Sequence, residues 1–195
     1  MTEKDRMLQG LLYKAGDPVL VKERAACKDL CWAYNNQLLP SQEPEQIALL
    51  ERLLGKMGEA CCIIAPFWCD YGYNIEIGSH FFANHNCVIL DTAKVVFGSH
   101  VNVGPNCCFA AACHPLDAAL RREGWEYSKP IRIGDGVWLG AGVTVLPGVT
   151  VGENAVIGAG SLVSRDIPPG VVALGNPCRV VRQITAQDRE KLPAR

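Results

Sequence analysis

The sequence predicts a mostly β chain wound as a short β-helix of six-residue repeats, with a helical segment covering its start. Three observations predict it. One aliphatic residue recurs at every sixth position through Ile133, Leu139, Val145, Val151, Ile157 and Val163. A smaller set follows four residues after each, at Val137, Val143, Val149, Ala155, Ser161 and Ile167. The first sixty residues lack this period and carry helix signals instead. A helix repeats at 3.6 residues and a strand alternates at 2.0. A period of six therefore means a short strand, a corner, and a return to the same inward-facing place. Gly134-Asp135-Gly136, Gly140-Ala141-Gly142, Gly152-Glu153-Asn154 and Gly158-Ala159-Gly160 supply the corners, where positive φ is often required. Three edges close a triangular coil. One coil cannot bury its own face, so several must stack.

The helical segment comes first, over residues 1–60. Asp17-Pro18 gives an N-cap acid and a proline at the first helical position. Leu20, Val21, Arg24, Cys27, Lys28, Cys31 and Tyr34 follow at helical spacing. Leu39-Pro40-Ser41 breaks that helix, and Ser41 with Pro44 and Glu45 opens a second. Ile47, Leu50, Leu54 and Met57 give the second helix an apolar stripe for packing on the first coil. Solenoids need such a cap, because an open end exposes strand edges. The β-helix is expected over 61–180. Ile77, Ala83, Ile89 and Val95 carry the period early on. It slips by two and resumes at Phe97, Val103 and Phe109. It then lapses until Ile133, which predicts a loop thrown out at about 111–130. A charged tail, 181–195, ends the chain.

Hydrophobic residues make up 49% and charged residues 20%, enough apolar material for a core. The net charge is -1 and the lysines and arginines are scattered, which excludes the basic stripe of a nucleic-acid binder. No apolar run reaches membrane-spanning length. The start, MTEKDRMLQG, has no apolar export core, so a cytoplasmic location is expected. The ten cysteines contain no C-x-x-C pair, and Cys27 and Cys31 stand four apart on the first long helix. They read as small buried thiols, and no metal is expected.

Histidine is the side chain whose titration best suits general-base work near neutrality. His80 and His100 fall at polar corners and His85 stands beside Asn84 on a coil face. His114 alone lies in the extruded loop, in Cys113-His114-Pro115-Leu116-Asp117. No G-x-S-x-G elbow or Walker loop competes.

Several segments together carry a resemblance. They are Asp70-Tyr71-Gly72-Tyr73-Asn74-Ile75, Phe82-Ala83-Asn84, Cys113-His114-Pro115-Leu116-Asp117, Gly134-Asp135-Gly136-Val137-Trp138-Leu139-Gly140, Pro147-Gly148-Val149-Thr150-Val151-Gly152 and Gly175-Asn176-Pro177-Cys178-Arg179-Val180. The chain resembles the maltose and galactoside O-acetyltransferases, hexapeptide-repeat acyltransferases related to the nodulation acetyltransferases. The resemblance covers nearly the whole chain, including Leu12-Tyr13 and Asp17-Pro18. It implies a left-handed parallel β-helix, a homotrimer with active sites between subunits, acetyl-CoA as donor co-substrate and a sugar hydroxyl as acceptor. It implies His114 as base and Asn84 beside the reacting centre. Asp17, Asp70, Phe82, Asp91 and Glu126 are then expected on the acceptor side. Trp138, Ala141, Ala159, Ser164, Arg165, Arg179 and Arg182 are expected along the CoA groove. Cys113 stands where the family usually has threonine, and Ser164-Arg165 where relatives have a Thr-Lys pair. An antibiotic or serine O-acetyltransferase of the same fold is the nearest alternative. More distant ones are a γ-class carbonic anhydrase, which needs three converging histidines, and a non-catalytic trimeric scaffold.

Overall fold

A computed structural model describes residues 1–190; residues 191–195 of the expected tail lie outside them. Among the described residues, three parallel sheets form the faces of a triangular coil, a left-handed β-helix. The first face starts at Lys56–Met57 and ends at Thr150–Val151. The second starts at Cys62–Ile63 and ends at Val171–Leu174 with Arg179–Gln183 folded back antiparallel on it. The third runs from Phe67–Cys69 to Leu162–Val163. The chain beyond 180 therefore returns along the last coil instead of leaving it at once.

The inward positions are those the period names. Leu139, Val145, Val151 and Val163 are fully buried, and Ile133 and Ile157 nearly so. Each such side chain contributes about 1.5–3 kcal/mol through burial. The register also explains the slip of phase. Late coils advance by eighteen residues, as in Thr144 opposite Leu162. Early coils advance by twenty, as in Cys62 opposite Phe82. The extra residues sit at one corner, where the third face passes to the first: 70–74 in one coil and 91–94 in the next. In the third coil the same corner carries the whole extruded segment. The three insertions are therefore stacked.

The other two corners are tight. His80, His100 and Asn154 take φ between 56° and 59° at one of them, and Asn86 and Asn106 take 61° at the other. This left-handed region costs most side chains energy, and histidine and asparagine tolerate it better. His80 and His100 stack there with ring centroids 4.6 Å apart.

Three helices precede the coil: α1 (Glu3–Leu8), α2 (Pro18–Asn36) and α3 (Glu43–Leu53). The expected α2 start holds, with Asp17 Oδ1 accepting from the N–H groups of Val19 and Leu20 at 3.0 and 3.3 Å. Two details differ from expectation. α1 is separate, capped by Thr2 and Asp5. Met57, expected on the second helix, lies in the first coil strand. The cap does more than cover apolar surface. Asn35 donates from Nδ2 to the carbonyl of Phe67 at 2.9 Å and accepts from the Phe67 N–H at 2.8 Å. Tyr34 O–H donates to the carbonyl of Ile63. The edges of the first coil are thus paired by side chains of α2, where open edges would invite association.

Candidate active site

The extruded segment is ordered by its own hydrogen bonds. Ala112–Cys113 pairs with Trp125–Ser128, and Tyr13–Lys14 from the chain start pairs with the other edge of Trp125–Ser128. Between them lies α4 (Ala118–Arg122), capped by Asp117 Oδ1 accepting from the Leu120 N–H at 2.9 Å. Arg121 Nη1 donates to the carbonyls of Pro115 and Leu116 at 2.8 and 2.7 Å, bracing the turn after His114.

His114 stands at the base of this segment with its side chain 59% exposed, open to a reactant. Its Nδ1 lies 4.0 Å from Glu126 Oε1. Tyr13 O–H donates to Glu126 Oε2 at 2.9 Å. Burial and then the adjacent carboxylate push the Tyr13 pKa up, so the phenol keeps its proton and remains a donor. Tyr13, Glu126 and His114 thus stand in a line, with Tyr13 hydrogen-bonded to Glu126 and Glu126 at ion-pair distance, beyond hydrogen-bond reach, from His114. Sequence reasoning placed Tyr13 in a motif without a role. The missing signal was long-range pairing of Tyr13 with Glu126.

Asp70 and Asp91 occupy the stacked insertions at the same corner. Asp91 is wholly buried. Its Oδ1 accepts from the N–H groups of Asp70 and Tyr71 at 3.0 and 2.9 Å, and its Oδ2 from that of Asn74 at 3.3 Å. Gly72 completes this turn at φ +74°, and a Cβ there would lie 2.2 Å from the carbonyl oxygen of Leu53. Asp91 therefore holds the turn that presents the half-buried Asp70. Burial is the largest influence on both acids and raises both pKa values, Asp91 to about 7. Arg24, whose Nη1 donates to the Tyr71 hydroxyl Oη at 2.5 Å and Nη2 to the Ala15 carbonyl at 2.6 Å, ties α2 to the same corner. Thr92 Oγ1, next to Asp91, is buried without a hydrogen-bond partner.

An acid whose pKa is raised on folding holds its proton more tightly folded than unfolded. The stability it contributes is full below its unfolded value of 3.8 and is lost as pH rises through about 7. Wild-type unfolding free energy should therefore fall across this window relative to Asp91→Asn, followed by urea denaturation at each pH. A constant difference would contradict the raised pKa.

The remaining expected residues lie elsewhere. Phe82, Asn84, Trp138 and Ala141 line one groove of about 470 Å³ at the corner between the second and third faces. Trp138 is exposed, at 56%. Asn84 Oδ1 accepts from the His85 N–H at 2.8 Å. Ala159 packs against Gly140 of the groove, where a Cβ would meet the Ala159 nitrogen at 2.7 Å. Ser164 and Arg165 follow the last strand of the third face, exposed. Arg179 and Arg182 lie on the returning strand, Arg182 in a paired contact with Asp188 at 2.8 Å. Asp17 caps α2. One chain thus sets His114 and Glu126 at one corner and the Asn84–Trp138 groove at another. The histidines do not converge: His80 and His100 share a corner, His85 lies on another, and His114 sits in the extrusion.

Residues 6–58 match the maltose acetyltransferase hexapeptide capping motif, and residues 130–165 match the bacterial transferase hexapeptide repeats. The chain is 45% identical over 179 residues to nodulation protein L of Rhizobium meliloti, covering 92% of this chain and 97% of that one. It is 48% identical to a maltose O-acetyltransferase from Clostridium difficile, with a TM-score of 0.92 over 95% of this chain and 98% of that one. A galactoside acetyltransferase in complex with coenzyme A is 40% identical, with a TM-score of 0.93, covering 97% of this chain and 94% of that one.

Proposed function

Because the chain belongs to the maltose and galactoside acetyltransferase family of hexapeptide-repeat acetyltransferases, we propose that it moves an acetyl group from acetyl-CoA to a sugar hydroxyl by direct transfer, with His114 as base. The observation that carries the reading is the exposed His114 imidazole with the Tyr13-held Glu126 carboxylate 4.0 Å from its Nδ1. A reachable imidazole beside a carboxylate is what a general base can use. CoA lies in the groove past Trp138, Ala141 and Ala159, with Ser164, Arg165, Arg179 and Arg182 toward its phosphates. Asp70 meets acceptor hydroxyls, with Phe82 and Asp17 at the rim, and Asp91 acts through the turn it holds.

His114 takes the proton of the acceptor hydroxyl as its oxygen attacks the thioester carbonyl. Glu126 stabilises the imidazolium through Nδ1. The carbonyl oxygen gains the electron pair and Asn84 Nδ2 donates to it, since Oδ1 is engaged by His85. The intermediate collapses, the C–S bond breaks, and the imidazolium returns the proton to the departing thiolate. In one chain the base and the groove occupy different corners, which supports a homotrimer whose sites each combine His114 of one subunit with Asn84 of the next.

The test is thiol release from acetyl-CoA with maltose, glucose, a galactoside, serine and chloramphenicol. Release with a sugar supports the reading, and release only with serine or chloramphenicol replaces the acceptor class. Tyr13→Phe leaves Glu126 Oε2 without its donor and should lower kcat about 10-fold, with KM for acetyl-CoA unchanged. Unaltered kcat would remove Tyr13 from the line.

A further inference from the structure

Three of the ten cysteines do more than fill space. Cys27 and Cys31 stand one turn apart on α2, and both face Cys69 at the end of the first strand of the third face. Cys27 Sγ lies 3.5 Å and Cys31 Sγ 3.7 Å from Cys69 Sγ, and all three sulfurs fall within 4.8 Å of one another. The residues are 4%, 0% and 3% exposed, and none forms a disulfide. Sulfurs sharing one bound centre at about 2.3 Å lie roughly 3.5–4 Å from each other. Two of the three sulfur pairs already stand at that spacing, and the third lies within 4.8 Å.

We propose that Cys27, Cys31 and Cys69 form a binding site for a trivalent thiophilic centre of the arsenous-acid class. Softness of the donors selects thiophilic elements. Charge selects among them. The acids near the cluster are Asp70 and Asp91, but among the described residues no carboxylate oxygen joins the three sulfurs within 4.8 Å, so none is offered as a fourth ligand. Monovalent copper on three thiolates would bury two net negative charges beside these acids, and divalent zinc one. Uncompensated buried charge is strongly unfavourable. Arsenous acid and three thiols react without that cost. Three As–O bonds break and three As–S bonds form. Each hydroxyl leaves as water with one proton, supplied by a thiol or, for a sulfur already present as thiolate, by solvent, and no electron is transferred. The complex formed is neutral and buried. The bound centre would pin α2 to the first coil and raise the melting temperature.

The test is titration of the reduced protein with sodium arsenite, read by native mass spectrometry and arsenic X-ray absorption. One arsenic per chain with three sulfur neighbours is expected. Even an outer partner of a bound metal is worth about 10–100-fold in affinity, so loss of a direct ligand in Cys27→Ala, Cys31→Ala or Cys69→Ala should weaken binding at least about 100-fold. The exposed Cys62 serves as control, and Cys62→Ser should bind normally. Should a variant misfold, hydrogen exchange of wild type with and without arsenite decides, with slower exchange expected in α2 around Cys27 and Cys31 and in the strand that holds Cys69. Fewer than three sulfurs around arsenic, or exchange in these two segments unaffected by arsenite, would overturn the proposal. So would zinc or cuprous ion taken up by these thiols in preference to arsenite.

Discussion

Replacing His114 by alanine is expected to lower kcat about 10²–10⁴-fold while leaving acetyl-CoA binding within twofold of wild type. His114 projects from a segment braced by Arg121 and paired to the chain start, so its loss leaves the coil and the groove intact. Its exposed side chain makes no core contact, and stability should be unchanged. An interaction made only in the transition state lowers kcat and kcat/KM equally. Steady-state kinetics beside equilibrium binding of CoA separate the two effects. Near-normal turnover by His114→Ala would end the assignment of the base.

Phe109→Ala is expected to cost about 3–5 kcal/mol of stability. Phe109 is fully buried in the third face, opposite Ile89 and Val145 in register. Its ring meets Phe97 edge-on at 4.8 Å, and Phe97 meets Phe81 at 5.1 Å. Each such pair contributes about 0.5–1.5 kcal/mol beyond area burial. Coils held on both sides by ladders cannot collapse into the space left by the ring, so the cavity cost is retained in full. Urea midpoints at matched protein concentration measure it. A loss below about 1 kcal/mol would show that the coils can collapse into that space.

Residues such as Leu139 and Val145 made the β-helix legible, because a period of six has no other simple origin. Handedness was not legible that way. Both hands share the period, and the general preference for right-handed crossovers points the other way. It came from the resemblance alone. The phase slip at Val95 was visible in the sequence, yet its meaning needed the register. Only pairing such as Ile75 with Val95 shows that the added residues stack at one corner. The site was legible unevenly. His114 stood out because the period lapses around it. Tyr13 did not, because its partner Glu126 is 113 residues away. The convergence of Cys69 on Cys27 and Cys31 was hidden for the same reason, since spacing along the chain reports only local contacts.

The most direct test mixes two inactive proteins. His114→Ala and Asn84→Ala chains are unfolded together at equal concentration, refolded, and assayed by thiol release from acetyl-CoA with the preferred sugar. If each site takes its base from one subunit and its amide from the next, every mixed trimer holds one intact site, and the mixture should recover about a quarter of wild-type activity. A mixture no more active than its two parents would show that the site is completed within a single chain, contradicting the account.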